Sequence, residues 1–81
     1  MKPLKVVGWE KKKSDKTGKV GILIYAVRDI DQSADSFIEG EGAETCRLYI
    51  SPEYCKYSPN VGDLIIPVEG RFGIDQIYVV N

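Results

Sequence analysis

Apolar and β-branched residues occur along this chain in short segments, each followed by a cluster of glycine, proline, asparagine, aspartate or serine. Within the clearest segment, Thr45 to Ile50, apolar and polar residues alternate. Alternation with a period of two is typical of a strand that buries one face. The pattern predicts five strands, at residues 4–11, 20–28, 45–50, 64–69 and 74–80.

The segment between the third and fourth predicted strands begins like a helix. Ser51 is a suitable N-cap, Pro52 is favoured at the first helical position, and Glu53 suits the first turn. We therefore expect one or two helical turns within residues 51–59. The resulting order predicts an all-β, five-stranded OB-type Greek-key barrel with a short helix between strands 3 and 4, formed by residues 1–81 as a single domain. An SH3-like barrel or a small open sheet is the alternative.

Length and composition exclude several classes of function. The chain has 81 residues and no histidine, so Ser-His-Asp and Cys-His catalysis are excluded and we expect no enzyme activity. Cys46 and Cys55 are too few to complete a zinc site or a disulfide framework, so no metal or cofactor is predicted. No apolar run approaches the ~20 residues of a membrane helix, and we expect a cytoplasmic protein.

Charge is distributed very unevenly. Residues 1–28 contain eight basic and two acidic residues, whereas residues 29–44 contain six acidic residues and no basic one. The basic third favours a polyanionic partner. The acidic stretch 29–44 is predicted to be a loop docked by Phe37 and Ile38, and a protein partner for it is the alternative. It lacks the glycine and glutamate of a calcium loop, because Ala34 and Gly40 occupy those positions.

Strand parity predicts which side chains share the outer face of the first three strands. In the third strand Cys46, Leu48 and Ile50 form the apolar face, so Arg47 and Tyr49 lie on the opposite one. The same parity predicts an outer face carrying Trp9, Leu23, Tyr25, Arg47 and Tyr49. Nucleobases stack on such rings while basic side chains bind the phosphates. The alternative is that the aromatic residues only cover a half-buried sheet.

Two turns add candidate contacts. The predicted tip of the first hairpin, residues 11–19, contains five lysines that could hold a phosphate backbone: Lys11, Lys12, Lys13, Lys16 and Lys19. A solvated turn is the alternative for this tip. The glycine-flanked turn between strands 4 and 5 presents Arg71 and Phe72.

Several short motifs resemble the gene V family of single-stranded DNA-binding proteins of filamentous phages. They are Gly18-Lys19 with Leu23, Arg47-Leu48-Tyr49-Ile50, Tyr57-Ser58-Pro59, and Arg71-Phe72-Gly73 followed by Asp75-Gln76-Ile77. The resemblance implies DNA-surface positions at Leu23, Arg47 and Phe72, a DNA-binding wing at the basic hairpin, and a homodimer. The acidic loop is longer than the family's linking loop, and Val20-Gly21 replaces a tyrosine.

The predicted function is therefore sequence-tolerant binding of single-stranded DNA in a phage or mobile element, with RNA left open as the ligand. A protein-interaction module that uses the tyrosine face and the acidic loop is the alternative. Outward-facing apolar residues are expected at Ile65, Ile74 and Val80, and a two-fold dimer interface would bury them.

Overall fold

The computed structural model describes residues 3–71 and 73–80. They form five strands: β1 (Leu4–Lys13), β2 (Val20–Asp29), β3 (Ala43–Ile50), β4 (Leu64–Gly70) and β5 (Gly73–Val80). Each predicted strand is present, and its ends differ from the prediction by at most two residues. The all-β class is thereby confirmed.

All five strands belong to one antiparallel sheet with the order β3-β2-β1-β4-β5. β1 pairs with β2 along most of its length, but with β4 only through Leu4 and Lys5. β3 and β5 approach one another without forming a ladder. The sheet is therefore not closed into a barrel and keeps two edge strands. The connection from β3 to β4 lies beside the free edge of β5, where residues 54–57 and 75–78 line a common groove.

The predicted helix between β3 and β4 is absent from the described residues. The Ser51 carbonyl accepts hydrogen bonds from the backbone N–H groups of Tyr54 and Cys55, at 2.9 and 2.8 Å, and the chain then leaves the turn. The helix-start residues 51–53 are thus followed by a single turn. A helix needs more residues than the few that lie between this turn and Pro59, which cannot continue it. The described residues contain no candidate membrane-spanning helix.

The hydrophobic core lies on one face of the sheet and is closed by the β3–β4 connection. Its buried members are Leu4, Val6, Ile22, Ile24, Ala26, Ile50, Cys55 and Ile65. Parity in β2 is confirmed, because Ile22, Ile24 and Ala26 all point inward. The expectation that Ile65 and Ile74 face outward is wrong: Ile65 is 0% exposed and Ile74 packs against the core. Both cysteines are free thiols.

The acidic segment is shorter as a loop than predicted, because the strands continue to Asp29 and from Ala43. An ion pair between Arg28 and Glu44, with 2.7 Å between nitrogen and oxygen, closes its base. Phe37 is half-buried, but Ile38 is 94% exposed, so the expectation that Ile38 docks the loop is wrong. The loop leaves the sheet at the end of β2 opposite the lysine-rich tip.

A hydrogen bond between Tyr57 and Asp63 fastens the β3–β4 connection. The Tyr57 hydroxyl donates to Oδ2 of Asp63 at 2.6 Å. Burial of the phenol, together with this hydrogen bond, raises the pKa of Tyr57 to about 12. The folded state therefore favours the protonated phenol over the phenolate.

Tyr57→Phe is expected to lower the free energy of unfolding by about 1.5–3 kcal/mol at neutral pH, because a hydrogen bond to a carboxylate is lost. The contribution is complete below pH 10, the pKa of an unperturbed tyrosine, and is lost as the pH rises through about 12. Urea denaturation of both proteins between pH 7 and 12 measures the difference. A difference that stays constant up to pH 12 would contradict this role for Tyr57.

Candidate nucleic-acid interface

The pairing of β2 with β3 brings four of the predicted site residues onto one face. Leu23 lies opposite Tyr49, and Tyr25 lies opposite Arg47. Directly opposed residues in an antiparallel pair project from the same side of the sheet. This side is the outer one, because the intervening residues of β2 are buried in the core. Arg47 and Tyr49 are exposed, while Leu23 and Tyr25 are half-buried.

The side chain of Tyr49 covers Gly21 of β2. This side chain is 61% exposed. A Cβ atom added to Gly21 would collide with the Tyr49 hydroxyl and ring, so the glycine leaves the space in which the ring rests. The hydroxyl end of the ring thus packs on Gly21, and the exposed part of the ring suits a platform for a nucleobase.

Tyr25 is held by an acidic neighbour that sequence reasoning did not include. Its hydroxyl donates to Oε2 of Glu10 at 3.2 Å, and Oε1 of Glu10 pairs with Nζ of Lys12 at 2.8 Å. The hydrogen bond from Lys12 lowers the pKa of the Glu10 carboxyl, and Glu10 raises the pKa of the Lys12 ammonium. The charge of Lys12 is therefore already balanced locally. Lys12 is consequently less available to a phosphate than its neighbours.

A shallow depression of about 280 Å³ opens on the same face. Tyr25 and Arg47 line it together with Val7, Val27 and Thr45. Its walls combine apolar side chains with one exposed guanidinium. Such a combination can hold the flat face of a base and a neighbouring phosphate.

Trp9 does not join this face. The register of β1 against β2 shifts between Val6 and Gly8, so Val7 is an extra residue in a β-bulge. Beyond the bulge Trp9 lies opposite Ile24, whose side chain is completely buried. The expectation that Trp9 shares the outer face is wrong, because one inserted residue reverses the parity of a strand. Trp9 lies on the core side and remains 44% exposed.

The lysine-rich tip forms an exposed two-stranded arm. The backbone N–H of Gly18 donates to the carbonyl of Ser14 at 2.8 Å, and Gly18 adopts a positive φ of 71° that closes the turn. All five lysines are exposed: Lys11, Lys12, Lys13, Lys16 and Lys19. Lys19 lies 4.0 Å from a carboxylate oxygen of Glu53. Within the described ranges, Lys11, Lys13 and Lys16 form no ion pair.

Arg71, which follows β4, does not lie on the outer face of β2 and β3. Arg71 is exposed and lines a pocket with Tyr54 and Asp75, apart from the depression lined by Arg47. Phe72 lies outside the described residues. The structure therefore brings together Leu23, Tyr25, Arg47 and Tyr49 but does not place Arg71 among them.

Comparisons with known proteins add no further assignment. No family model, no curated protein and no solved structure matches this chain. The resemblance to the gene V family rests on the short sequence motifs alone. Within residues 3–71 and 73–80, no group of three or more His, Cys, Asp or Glu residues could hold a metal ion.

Two exposed tyrosines were not predicted as site residues. Tyr54 is 56% exposed and Tyr78 is 57% exposed. Tyr78 lies opposite Ile66, and therefore on the outer side of β4 and β5. The buried position of Ile65 determines this parity, and the sequence pattern alone placed Ile65 on the wrong side.

Proposed function

We propose that this protein binds single-stranded DNA without strong sequence preference, through the outer face of β2 and β3 and the lysine-rich arm. The observation that carries the proposal is the exposed Tyr49 ring supported on Gly21, with Arg47 close by on the same strand. An aromatic ring accepts any base, which makes the binding tolerant of sequence. The same chemistry accommodates RNA.

The strand order supports an OB-type assignment of the sheet. An OB-fold is a partly open five-stranded barrel that binds oligonucleotides on its strand 2–3 face and between its 1–2 and 4–5 loops. The antiparallel order β3-β2-β1-β4-β5 is that of such a barrel opened between β3 and β5. The face with Tyr25, Arg47 and Tyr49 then corresponds to the usual ligand side. This assignment and the resemblance to the gene V family support one another.

Electrostatics restricts the path of the strand. β2 has ten residues and spans roughly 33 Å, with the lysine-rich arm at its start and the acidic loop after its end. A phosphate backbone is attracted to the first end and repelled from the second. We infer that the DNA runs over Tyr49 toward the arm and avoids the base of the loop at Arg28 and Glu44.

The salt dependence of binding tests the proposal. Arg47 and the three lysines without an ion pair in the described ranges provide roughly four phosphate contacts. Each contact to single-stranded nucleic acid contributes about −0.7 to the slope of log K against log salt, so we expect a slope near −3. Fluorescence polarisation of labelled oligothymidylate between about 20 and 300 mM salt measures it. Lys13→Gln should reduce the slope, and Lys12→Gln should reduce it less because Glu10 already balances that lysine.

Absence of binding at the lowest salt, with several oligonucleotides, would exclude the function. A binding constant that did not change with salt concentration would exclude the phosphate contacts. The exposed Ile38 within the acidic loop favours the second candidate, a protein-interaction module, if DNA binding is absent. That module would recognise a basic partner surface with an apolar depression.

We also propose that the protein is a homodimer. Of the three residues expected in a dimer interface, Val80 alone faces outward, because Ile65 and Ile74 pack in the core. Light scattering at high micromolar concentration should give twice the chain mass of 9.1 kDa. Val80→Lys should give the monomer, because it places a charge within the apolar contact. A monomer mass for the unaltered protein at every concentration would contradict the dimer.

A further inference from the structure

A second aromatic groove lies between the β3–β4 connection and the free edge of β5. It encloses about 400 Å³ and is open to solvent. Tyr54 and Tyr78 line it, and both rings are more than half exposed. Lys56 lies on the same groove and is exposed.

The exposed rings of this groove contribute little to the core. The Tyr78 hydroxyl donates to Oε1 of Gln76, two residues away on the same strand, at 2.8 Å. Its polar end therefore has a partner, while its ring remains accessible. Tyr57, which also lines the groove, is half-buried and is fixed by Asp63. The groove thus combines a stable wall with two accessible aromatic rings.

The groove lies close to the Tyr49 face. Tyr49 is followed after one residue by the turn that begins at Ser51 and ends at Tyr54. The ends of a hydrogen-bonded turn lie within about 7 Å, and two extended residues span about 7 Å more. The Cα atoms of Tyr49 and Tyr54 are therefore at most about 14 Å apart. Lys19 of the arm approaches Glu53 within the same turn.

We propose that this groove is a second base-stacking subsite, which takes nucleotides that extend beyond Tyr49. The inference rests on the proposed function and adds Tyr54, Tyr78 and Lys56 to it. Two accessible tyrosine rings with an adjacent ammonium suit a base and its phosphate. The volume lies in the range of about 300–1,000 Å³ that small-ligand pockets occupy. Asp75 at the groove favours a path for the phosphates on the Lys56 side.

Oligonucleotide length provides the test. A tetranucleotide of thymidine is short enough to be held by the Tyr49 face alone, whereas a dodecanucleotide also reaches the groove. The double variant Tyr54→Ala/Tyr78→Ala should bind the dodecanucleotide about tenfold more weakly and the tetranucleotide unchanged. Tyr54→Phe/Tyr78→Phe should retain wild-type binding of both, because phenylalanine also stacks. Lys56→Gln should reduce the salt slope by about 0.7 for the dodecanucleotide only.

Matched controls distinguish loss of the subsite from loss of the Tyr49 site or of a contact between two copies of the chain. Ile38→Ala changes an exposed apolar side chain on the acidic loop and should leave both affinities unchanged. Wild-type dodecanucleotide affinity in both the tyrosine double variant and Lys56→Gln would overturn the subsite while the Tyr49 site remained intact. If light scattering gave a changed mass for the tyrosine double variant while its affinity for both oligonucleotides stayed unchanged, the groove would be assigned to a second copy of the chain instead. Failure of the wild-type protein to bind either oligonucleotide would overturn the proposed function itself.

Discussion

Tyr49→Ala is expected to weaken binding of single-stranded DNA by about 1–3 kcal/mol, which is roughly 5- to 150-fold in Kd, and to leave the salt slope unchanged. Tyr49 acts through the face of its ring, and stacking releases no counterion. The loss should therefore persist at high salt. Polarisation titrations at several salt concentrations measure both quantities. Thermal unfolding should be nearly unaffected, because the Tyr49 ring is mostly exposed.

Arg47→Ala provides the contrasting result. Arg47 lies two residues before Tyr49 on the same face but acts through charge. Its removal should weaken binding chiefly at low salt and reduce the slope by about 0.7. If both variants gave the same salt dependence, the assignment of stacking to one residue and phosphate binding to the other would be wrong.

Gly21→Ala tests the orientation of the Tyr49 ring without removing it. The added methyl group would occupy the space of the ring, which must then swing away from β2. Binding should fall toward the level of Tyr49→Ala, while circular dichroism shows an unchanged fold. Wild-type affinity in this variant would mean that the ring needs no support from Gly21.

Unfolding of the domain by Tyr49→Ala would mean that the inside–outside assignment of β3 is inverted, because an exposed side chain is not needed for folding.

Ile65→Ala is expected to have the largest effect on stability. Ile65 is completely buried and lies opposite Leu4 and Val79 in the sheet. Truncation of a buried isoleucine costs about 2–5 kcal/mol, which is a large part of the roughly 4–12 kcal/mol available to a domain of this size. The melting temperature should fall by on the order of 10–30 °C. Urea denaturation and calorimetry measure the change.

Leu64→Ala is the matched control on the neighbouring residue. Leu64 is 39% exposed and projects to the outer side of β4. Leu64→Ala should lower the free energy of unfolding by well under half as much as Ile65→Ala, since less apolar area returns to water. A reversed order of the two losses would show that β4 is displaced by one residue, because such a slip exchanges the two faces of a strand.

Much of the candidate site follows from strand parity. In β3 apolar and polar residues alternate, and the pairing of β3 with β2 contains no bulge. The positions of Leu23, Tyr25, Arg47 and Tyr49 on a common face could therefore be predicted. The roles of side chains that depend on a partner across the sheet could not be predicted. Glu10, which restrains Tyr25 and balances Lys12, is one of them.

The parity of β1 illustrates the limit of the sequence pattern. Leu4, Val6 and Trp9 lie in a loosely alternating stretch, which fits a regular strand and a strand with one extra residue equally well. Pairing with β2 places Val7 in a bulge and moves Trp9 to the core side. A bulge depends on how two strands fit together, and this fit is not encoded in the alternation of either one.

The sequence by itself determined the five strands, the inward residues of β2 and β3, the lysine-rich arm and the acidic loop. These features depend on local residue preferences and on charges close together along the chain. The tertiary structure decided that Trp9 lies on the core side, that Ile65 is buried, that the sheet stays open between β3 and β5, and that Tyr54 and Tyr78 line a common groove. Each depends on contacts between segments far apart in the chain, so only the packing of the whole sheet sets it.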